Sequence, residues 1–305
     1  MKKVAFLGFL LIILGVIITY KDSLNEAYQK LISLFQNQEV SIGEVNEYYR
    51  KYDFEFVQNT NNFSPKSRQD LLNIYYTAIN AGKSEFTFYC PSDYKECVDE
   101  VDGLANDQTL LSHINNFVHP FNGFSNIETE YDSVGRVLIR IQKSYNEEQI
   151  KAVSKKVKEL EQELIVPTDS DLNNIKRVHD YIINHTKYDS DRSDRNIITY
   201  DSDIAYGPLL EGFGICGGYT DAMQLFLEEL NIKSYKISSA KHVWNAVYLD
   251  NQWRHLDLTW DDPVTTNGTD VLEHNFFMIS TPKLLEIEET EHIFEQNIYS
   301  ELKEA

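Results

Sequence analysis

The stretch Gly214-Ile215-Cys216-Gly217-Gly218-Tyr219 organises the second half of this chain of 305 residues. Its glycines let the backbone turn sharply and approach a neighbour closely. Apolar side chains then recur at helical spacing from Tyr219 to Leu230, which predicts an amphipathic helix. We therefore expect Cys216 at or just before the first helical turn, where free backbone N–H groups and the helix dipole favour a thiolate.

Two predicted strands follow this helix and carry a histidine and an aspartate. The first begins at His242, and the second, residues 252–260, carries Asp257. Asp250-Asn251 between them suits a two-residue hairpin turn. Since side chains alternate along strands, pairing across that turn places His242 and Asp257 on one face and within reach of each other.

These three residues have the chemistry of a thiol nucleophile, its base and the group that orients the base. We take Cys216, His242 and Asp257 as the candidate catalytic residues. Gly217, whose N–H lies at the helix start, and Trp244, on the face of His242, are candidates for oxyanion or substrate contacts.

Each residue also has a less specific interpretation. A lone cysteine is usually a core residue, and a lone strand histidine is usually structural. His255 is a rival base, because it is predicted on the same sheet face. A zinc site made of Cys216, His242 and His255 is disfavoured because the usual close pairs of ligands are missing. The sequence therefore predicts neither a metal nor a cofactor.

The charge of the chain excludes one class of partner. There are 48 acidic and 28 basic residues, a formal net charge of −20. A nucleic-acid partner is excluded because phosphate binding requires a basic surface.

The N-terminal residues have a different composition. Lys2 and Lys3 precede an uncharged apolar run over residues 4–20. This pattern predicts a signal-anchor transmembrane helix over residues 1–21, with the lysines in the cytoplasm and the bulk of the chain outside. A cleaved secretion signal is the alternative, although no Ala-x-Ala cleavage site follows. Apolar spacing predicts a helical stalk over residues 22–40.

The cysteines agree with export. Cys90 and Cys97 are close in sequence and can form a disulfide in an oxidising compartment, or remain unpaired. Cys216 is then the odd cysteine, which indicates a reactive thiol.

Two folded regions are predicted between the stalk and the C-terminus, with a boundary at 166/167 where a helix ends and a capping sequence begins. Residues 41–166 form a small α+β domain, and residues 167–305 form the catalytic domain. The predicted helices are 69–80, 109–118, 147–164, 171–186 and 219–230; the other predicted strands are 85–89, 127–131 and 136–142. The polar segment 188–206 is predicted as a loop; its five aspartates do not follow the spacing of a known calcium loop.

Three ordered motifs resemble the transglutaminase-like superfamily of papain-like cysteine enzymes. They are Cys216-Gly217-Gly218-Tyr219, His242-Val243-Trp244-Asn245 and Asp257-Leu258-Thr259-Trp260-Asp261-Asp262-Pro263. The resemblance extends over residues 171–294 and includes a predicted strand at 275–280. It implies an α+β fold in which a helix with cysteine at its start packs on an antiparallel sheet bearing histidine and aspartate.

The resemblance also implies roles for single residues. The nucleophile, base and orienting acid of the superfamily fall on Cys216, His242 and Asp257. A second oxyanion donor is implied upstream of the cysteine, and Tyr206 is the candidate. Bacterial members with this architecture include predicted proteases and acyl transferases, and the resemblance does not choose among them.

The sequence therefore favours a membrane-anchored cysteine enzyme outside the cytoplasm that cleaves or transfers a peptide, protein or cell-wall amide. A non-catalytic surface-binding or scaffold module on the same fold is the alternative. A soluble intracellular thiol enzyme is a third hypothesis, which fails if residues 4–20 insert into a membrane.

Overall fold

The computed structural model describes residues 23, 40–264, 271–288 and 290–304. The predicted anchor, residues 1–21, and nearly all of the predicted stalk lie outside the described residues, so both stay predictions. Over the described ranges, no helix is long and apolar enough to cross a membrane.

The first half of the chain packs helices against a three-stranded antiparallel sheet with strand order β1-β3-β2. Its elements are α1 (Arg68–Asn80), β1 (Glu85–Tyr89), α2 (Cys97–Asn106), α3 (Gln108–Asn115), β2 (Phe124–Tyr131) and β3 (Arg136–Lys143). β2 and β3 form the predicted hairpin. The Cys90–Cys97 disulfide is confirmed and ties the end of β1 to the start of α2.

The second half places a helix against a second antiparallel sheet with strand order β6-β7-β8. Its helices are α4 (Glu147–Leu164), α5 (Asp171–His185), α6 (Ser190–Arg195), α7 (Cys216–Glu229) and α8 (Thr281–Ile287). Its strands are β4 (Lys187–Tyr188), β5 (Phe213–Gly214), β6 (Ser234–Ser238), β7 (Val243–Leu249) and β8 (Gln252–Leu256). The mixed α and β composition predicted for the fold is confirmed.

The predicted register of the β7–β8 hairpin is confirmed, with Leu249 opposite Gln252. Asp250 and Asn251 have φ of 51° and 61°, the left-handed values of a type I′ turn. This turn chemistry fixes which side chains share a face. A slip of one residue would move every side chain of β8 to the opposite face.

Some predicted elements were wrong. The second strand was predicted to reach Trp260 but ends at Leu256, because the Asp257 carboxylate accepts the backbone N–H groups of Thr259 and Trp260 and turns the chain. Residues 275–280 make one bridge, Ile279 with His255, rather than a strand. The predicted loop 188–206 contains α6, and α2 was not predicted.

Both hydrophobic cores draw on residues from each side of the predicted boundary at 166/167. In the first, Phe54 and Phe117 pack against Tyr235 at centroid distances of 5.3 and 5.0 Å. In the second, Val157 and Leu160 of α4 pack with α7. The predicted boundary at 166/167 is therefore not a break in the packing.

Candidate active site

The start of α7 leaves backbone donors unused at Cys216. Ile215 is the N-cap residue and provides no side-chain cap, and the N–H groups of the first turn have no acceptor within the helix. A Cβ at Gly217 would lie 2.7 Å from the carbonyl oxygen of Asp203, and one at Gly218 would clash with that of Ser202. Only glycine permits this close packing around the half-buried thiol.

Hydrogen bonds hold α7 against β7 and so align the cysteine with the histidine. The Thr220 hydroxyl donates to the carbonyl oxygen of Val243 at 3.0 Å. The side-chain amide of Asn245 donates to the carbonyl oxygen of Thr220 at 3.2 Å. These contacts lie one turn into α7 and at the start of β7, beside Cys216 and His242.

The structure brings two of the predicted catalytic side chains into contact: His242 Nε2 lies 2.5 Å from Asp257 Oδ2. The Cys216 thiol acts on the same imidazole through its charge and a side-chain hydrogen bond, which both raise the pKa of His242. Because Nε2 faces the carboxylate, Nδ1 is the ring nitrogen left for the thiol. The two groups of the pair are almost fully buried.

The pKa of His242 is raised and that of Asp257 is lowered. Burial alone would lower the pKa of His242, but the charge and hydrogen bond of Asp257, with a contribution from Cys216, raise it to about 10. Burial would raise the pKa of Asp257, but the charge and hydrogen bond of His242, aided by His292, hold it well below its usual value. At neutral pH the pair is therefore an imidazolium and a carboxylate.

Stability should therefore depend on pH through His242. A histidine whose folded pKa exceeds the unfolded value of about 6.5 contributes its full stabilisation below that value and loses it as the pH rises toward about 10. Asp257, with a lowered pKa, contributes above about pH 4 and loses its contribution in acid. We expect the free energy of unfolding to fall between pH 6.5 and 10 by on the order of 3 kcal/mol more in the wild type than in His242→Gln. Urea titrations at both pH values measure the difference; equal losses would contradict it.

A fourth side chain, His292, joins this group and was not predicted from the sequence. Its Nε2 lies 2.8 Å from the Asp257 oxygen that faces His242. His292 is fully buried and lies 35 residues beyond Asp257. No motif or periodicity in the sequence indicates this contact.

His255, the rival base, has a structural role. Its Nδ1 accepts the indole N–H of Trp244 at 3.0 Å, and its Nε2 lies 2.9 Å from the Thr281 hydroxyl. Burial, with the charge of His292, lowers its pKa to about 3. Trp244 is itself fully buried, so its indole N–H is committed to His255 while its ring stacks on His242 at 5.6 Å.

Two tyrosines lie upstream of the cysteine. Tyr206 packs against the second core as the residue before a π turn, Gly207–Glu211. Tyr188 is half-buried; burial raises the pKa of its phenol, and the charge of Cys216 adds to this effect. Its hydroxyl donates to the Ser193 hydroxyl at 3.1 Å.

Two groups of histidine and aspartate have atoms close enough to hold a metal ion. One is His242, Asp257 and His292; the other is His179, Asp180 and His274. Hydrogen bonds between the facing atoms account for both arrangements. We assign no metal to either.

A cleft of about 390 Å³ lies between the two halves of the chain, with Asn115 and Phe124 on one side and Asp221 and Lys236 on the other. Its lining includes Gly217 and Val243, which follow Cys216 and His242 in sequence, and the polar side chains of Asp201, Asp203 and Lys236. A larger groove of about 1180 Å³ lies at the other end of α7, around Glu228. Helix geometry puts it about 18 Å from Cys216, too far to take part in chemistry at the thiol.

Comparison with known proteins agrees with the motifs. Residues 158–258 match the family model of the transglutaminase-like superfamily. The matched segment contains Cys216, His242 and Asp257, so the match covers all three candidate catalytic residues and about a third of the chain. A comparison with curated proteins finds none that matches the chain.

One solved structure, titled "Crystal structure of a TGase", is similar at 14% sequence identity with a TM-score of 0.32. The match covers 45% of this chain and 45% of that chain. Similarity at this level supports no conclusion about fold or function.

Proposed function

We propose that this protein is a cysteine-dependent amide hydrolase or acyl transferase that works through a thioester on Cys216. The observation that carries the proposal is the hydrogen bond between the His242 imidazole and the Asp257 carboxylate, with Cys216 among the groups that raise the pKa of that imidazole. A thiol beside an oriented, charged imidazole is the arrangement that activates a sulfur nucleophile.

The order of the steps follows from the starting protonation states of Cys216 and His242. The Cys216 thiolate attacks the amide carbonyl carbon, and the carbon–nitrogen bond breaks as the His242 imidazolium gives its proton to the leaving amine. Water or an acceptor amine then attacks the thioester, loses a proton to His242 Nδ1, and the carbon–sulfur bond breaks. The thiolate and imidazolium are restored, so atoms and charge balance.

Backbone N–H groups at the start of α7 are suited to stabilise the oxyanion of each tetrahedral intermediate. Tyr206 is the upstream side chain that could add a second donor, whereas the Tyr188 hydroxyl donates to Ser193. Trp244 is not an oxyanion donor in this proposal, because its indole N–H donates to His255.

Hydrolysis of a peptide or cell-envelope amide is the favoured outcome. The thiol is half-buried rather than enclosed, so water can reach it. An acyl transferase must exclude water from its thioester. A partly exposed thiol therefore favours water as the acceptor.

Alkylation with iodoacetamide tests the nucleophile and separates this proposal from a non-catalytic binding module. Cys216 is the one cysteine of three outside the disulfide, so it alone takes the label. At pH 6 we expect alkylation on the order of 10- to 100-fold faster than that of a free thiol, because little of a free thiol is ionised there. His242→Gln is the matched variant and should lose the enhancement. An ordinary rate in the wild type would favour the binding module.

We also propose that the protein is anchored outside the cytoplasm. The basic start and apolar run of residues 2–20 support a signal anchor, and the Cys90–Cys97 disulfide suits an oxidising compartment. The full chain should remain in the membrane fraction after alkaline carbonate extraction, and a chain without residues 1–21 should be released. Release of the full chain would contradict the anchor and leave secretion after cleavage.

A further inference from the structure

We infer that His292 is a positioning residue for the proposed reaction: its Nε2–H fixes the carboxylate of Asp257 and limits how strongly that carboxylate holds His242. The inference rests on the proposed function, because it gives a role to a fourth residue of the same site. His292 does not reach the substrate, since it is fully buried.

The Asp257 carboxylate is held at both oxygens. Oδ1 accepts the backbone N–H groups of Thr259 and Trp260 at 2.9 and 3.2 Å. Oδ2 accepts from His242 and His292 at 2.5 and 2.8 Å. Since two imidazoles share Oδ2, the proton affinity of that oxygen depends on both, and removing one donor strengthens the bond to the other.

Aromatic packing directs His292 at this oxygen. Its ring stacks on Phe276 with centroids 5.3 Å apart and lies edge-on to Trp244 and Trp260 at 4.7 and 5.2 Å. Its Nδ1 is buried without a hydrogen-bond partner in the part of the chain that the structure describes. A histidine placed for structural reasons would be expected to satisfy both nitrogens, whereas the hydrogen bond of this one goes to Asp257.

The titratable groups near His292 determine its electrostatic surroundings. The groups that face it are Asp257, His242 5.1 Å away between ring centroids, the neutral His255, and the carboxylate of Glu288. Whether His292 is neutral or charged, it withdraws electron density from Asp257. Its loss should therefore raise the pKa of His242 further, in a direction that does not depend on its own protonation.

The test uses His292→Phe, which keeps a planar ring but removes the donor, and His292→Gln, whose side-chain amide can still donate. The rate of Cys216 alkylation is measured against pH, and the inflection where His242 loses its proton is located. In His292→Phe we expect this inflection at higher pH, and kcat lower on the order of 10- to 100-fold with unchanged KM. His292→Gln should recover most of the wild-type profile. His185→Gln, at an exposed histidine of α5, is the control and should behave as the wild type.

A folded His292→Phe with the wild-type pH profile and kcat would overturn the inference. If that variant does not fold, ¹⁵N spectra of the histidine-labelled wild type decide. His292 Nε2 should stay protonated across neutral pH and its N–H shift should follow the titration of His242; an unprotonated Nε2 would overturn the inference. Slow alkylation of the wild type would instead count against the proposed function, and the NMR result would still stand.

Discussion

Cys216→Ala should abolish turnover and leave the fold intact. The sulfur is the only atom proposed to bond covalently to the substrate, so we expect kcat to fall on the order of 10⁶-fold, as for loss of a nucleophile in other hydrolases. Alanine is the best helix former and the site lies at a half-buried helix start, so stability should change by less than about 1 kcal/mol. Turnover of a cell-envelope extract and urea unfolding measure the two effects.

Cys216→Ser is the matched variant, because it keeps a small polar group beside His242 but not an easily ionised one. It should be nearly as inactive as the alanine variant. Full activity in either variant would remove the nucleophile assignment. A thioester trapped on the wild type and identified by mass would in addition name the acyl half of the substrate.

Asp257→Ala should cost both stability and activity. It removes the acceptor for two buried imidazoles and two backbone N–H groups. Breaking a buried ion pair from one side costs about 3–5 kcal/mol, and loss of the orienting carboxylate in a catalytic triad costs about 10⁴-fold in kcat. Urea unfolding and kcat on the same samples check the expectation.

Asp257→Asn separates the loss of stability from the loss of activity. It keeps the shape and one acceptor oxygen, so it should lose less stability than alanine but remain strongly impaired. Asp93→Ala, at an exposed turn, is the control and should stay within about 0.5 kcal/mol of the wild type. A stable Asp257→Ala with normal kcat would show that the carboxylate neither holds nor orients His242.

Local patterns were enough to predict much of this fold. The bounds of β1 and α4 agree with the structure residue for residue, because the apolar spacing of each lies within the element and the N-cap of α4, Asn146, directly precedes it. The two-residue turn at Asp250-Asn251 fixed the hairpin register, and with it the approach of His242 to Asp257. These features depend on neighbours in sequence.

Features that depend on distant residues were missed. His292 meets Asp257 only through the path of the chain after β8, and that path follows no repeat. The carboxylate of Asp257 ends its strand early because it bonds two N–H groups ahead, which competes with the strand propensity of the following residues. The helix α2 begins at a disulfide cysteine and contains Gly103, so its local helical pattern is weak.

The sharing of both cores across residues 166/167 bears on how such a chain could have arisen. Tyr235 and Trp253 from the later half fill space that Phe54 and Phe117 from the earlier half begin to enclose. A recombination that joined either half to an unrelated domain would have left large aromatic surfaces exposed to solvent. The two halves are therefore constrained to be inherited as a unit, and substitutions at their shared aromatic positions should arise in compensating pairs.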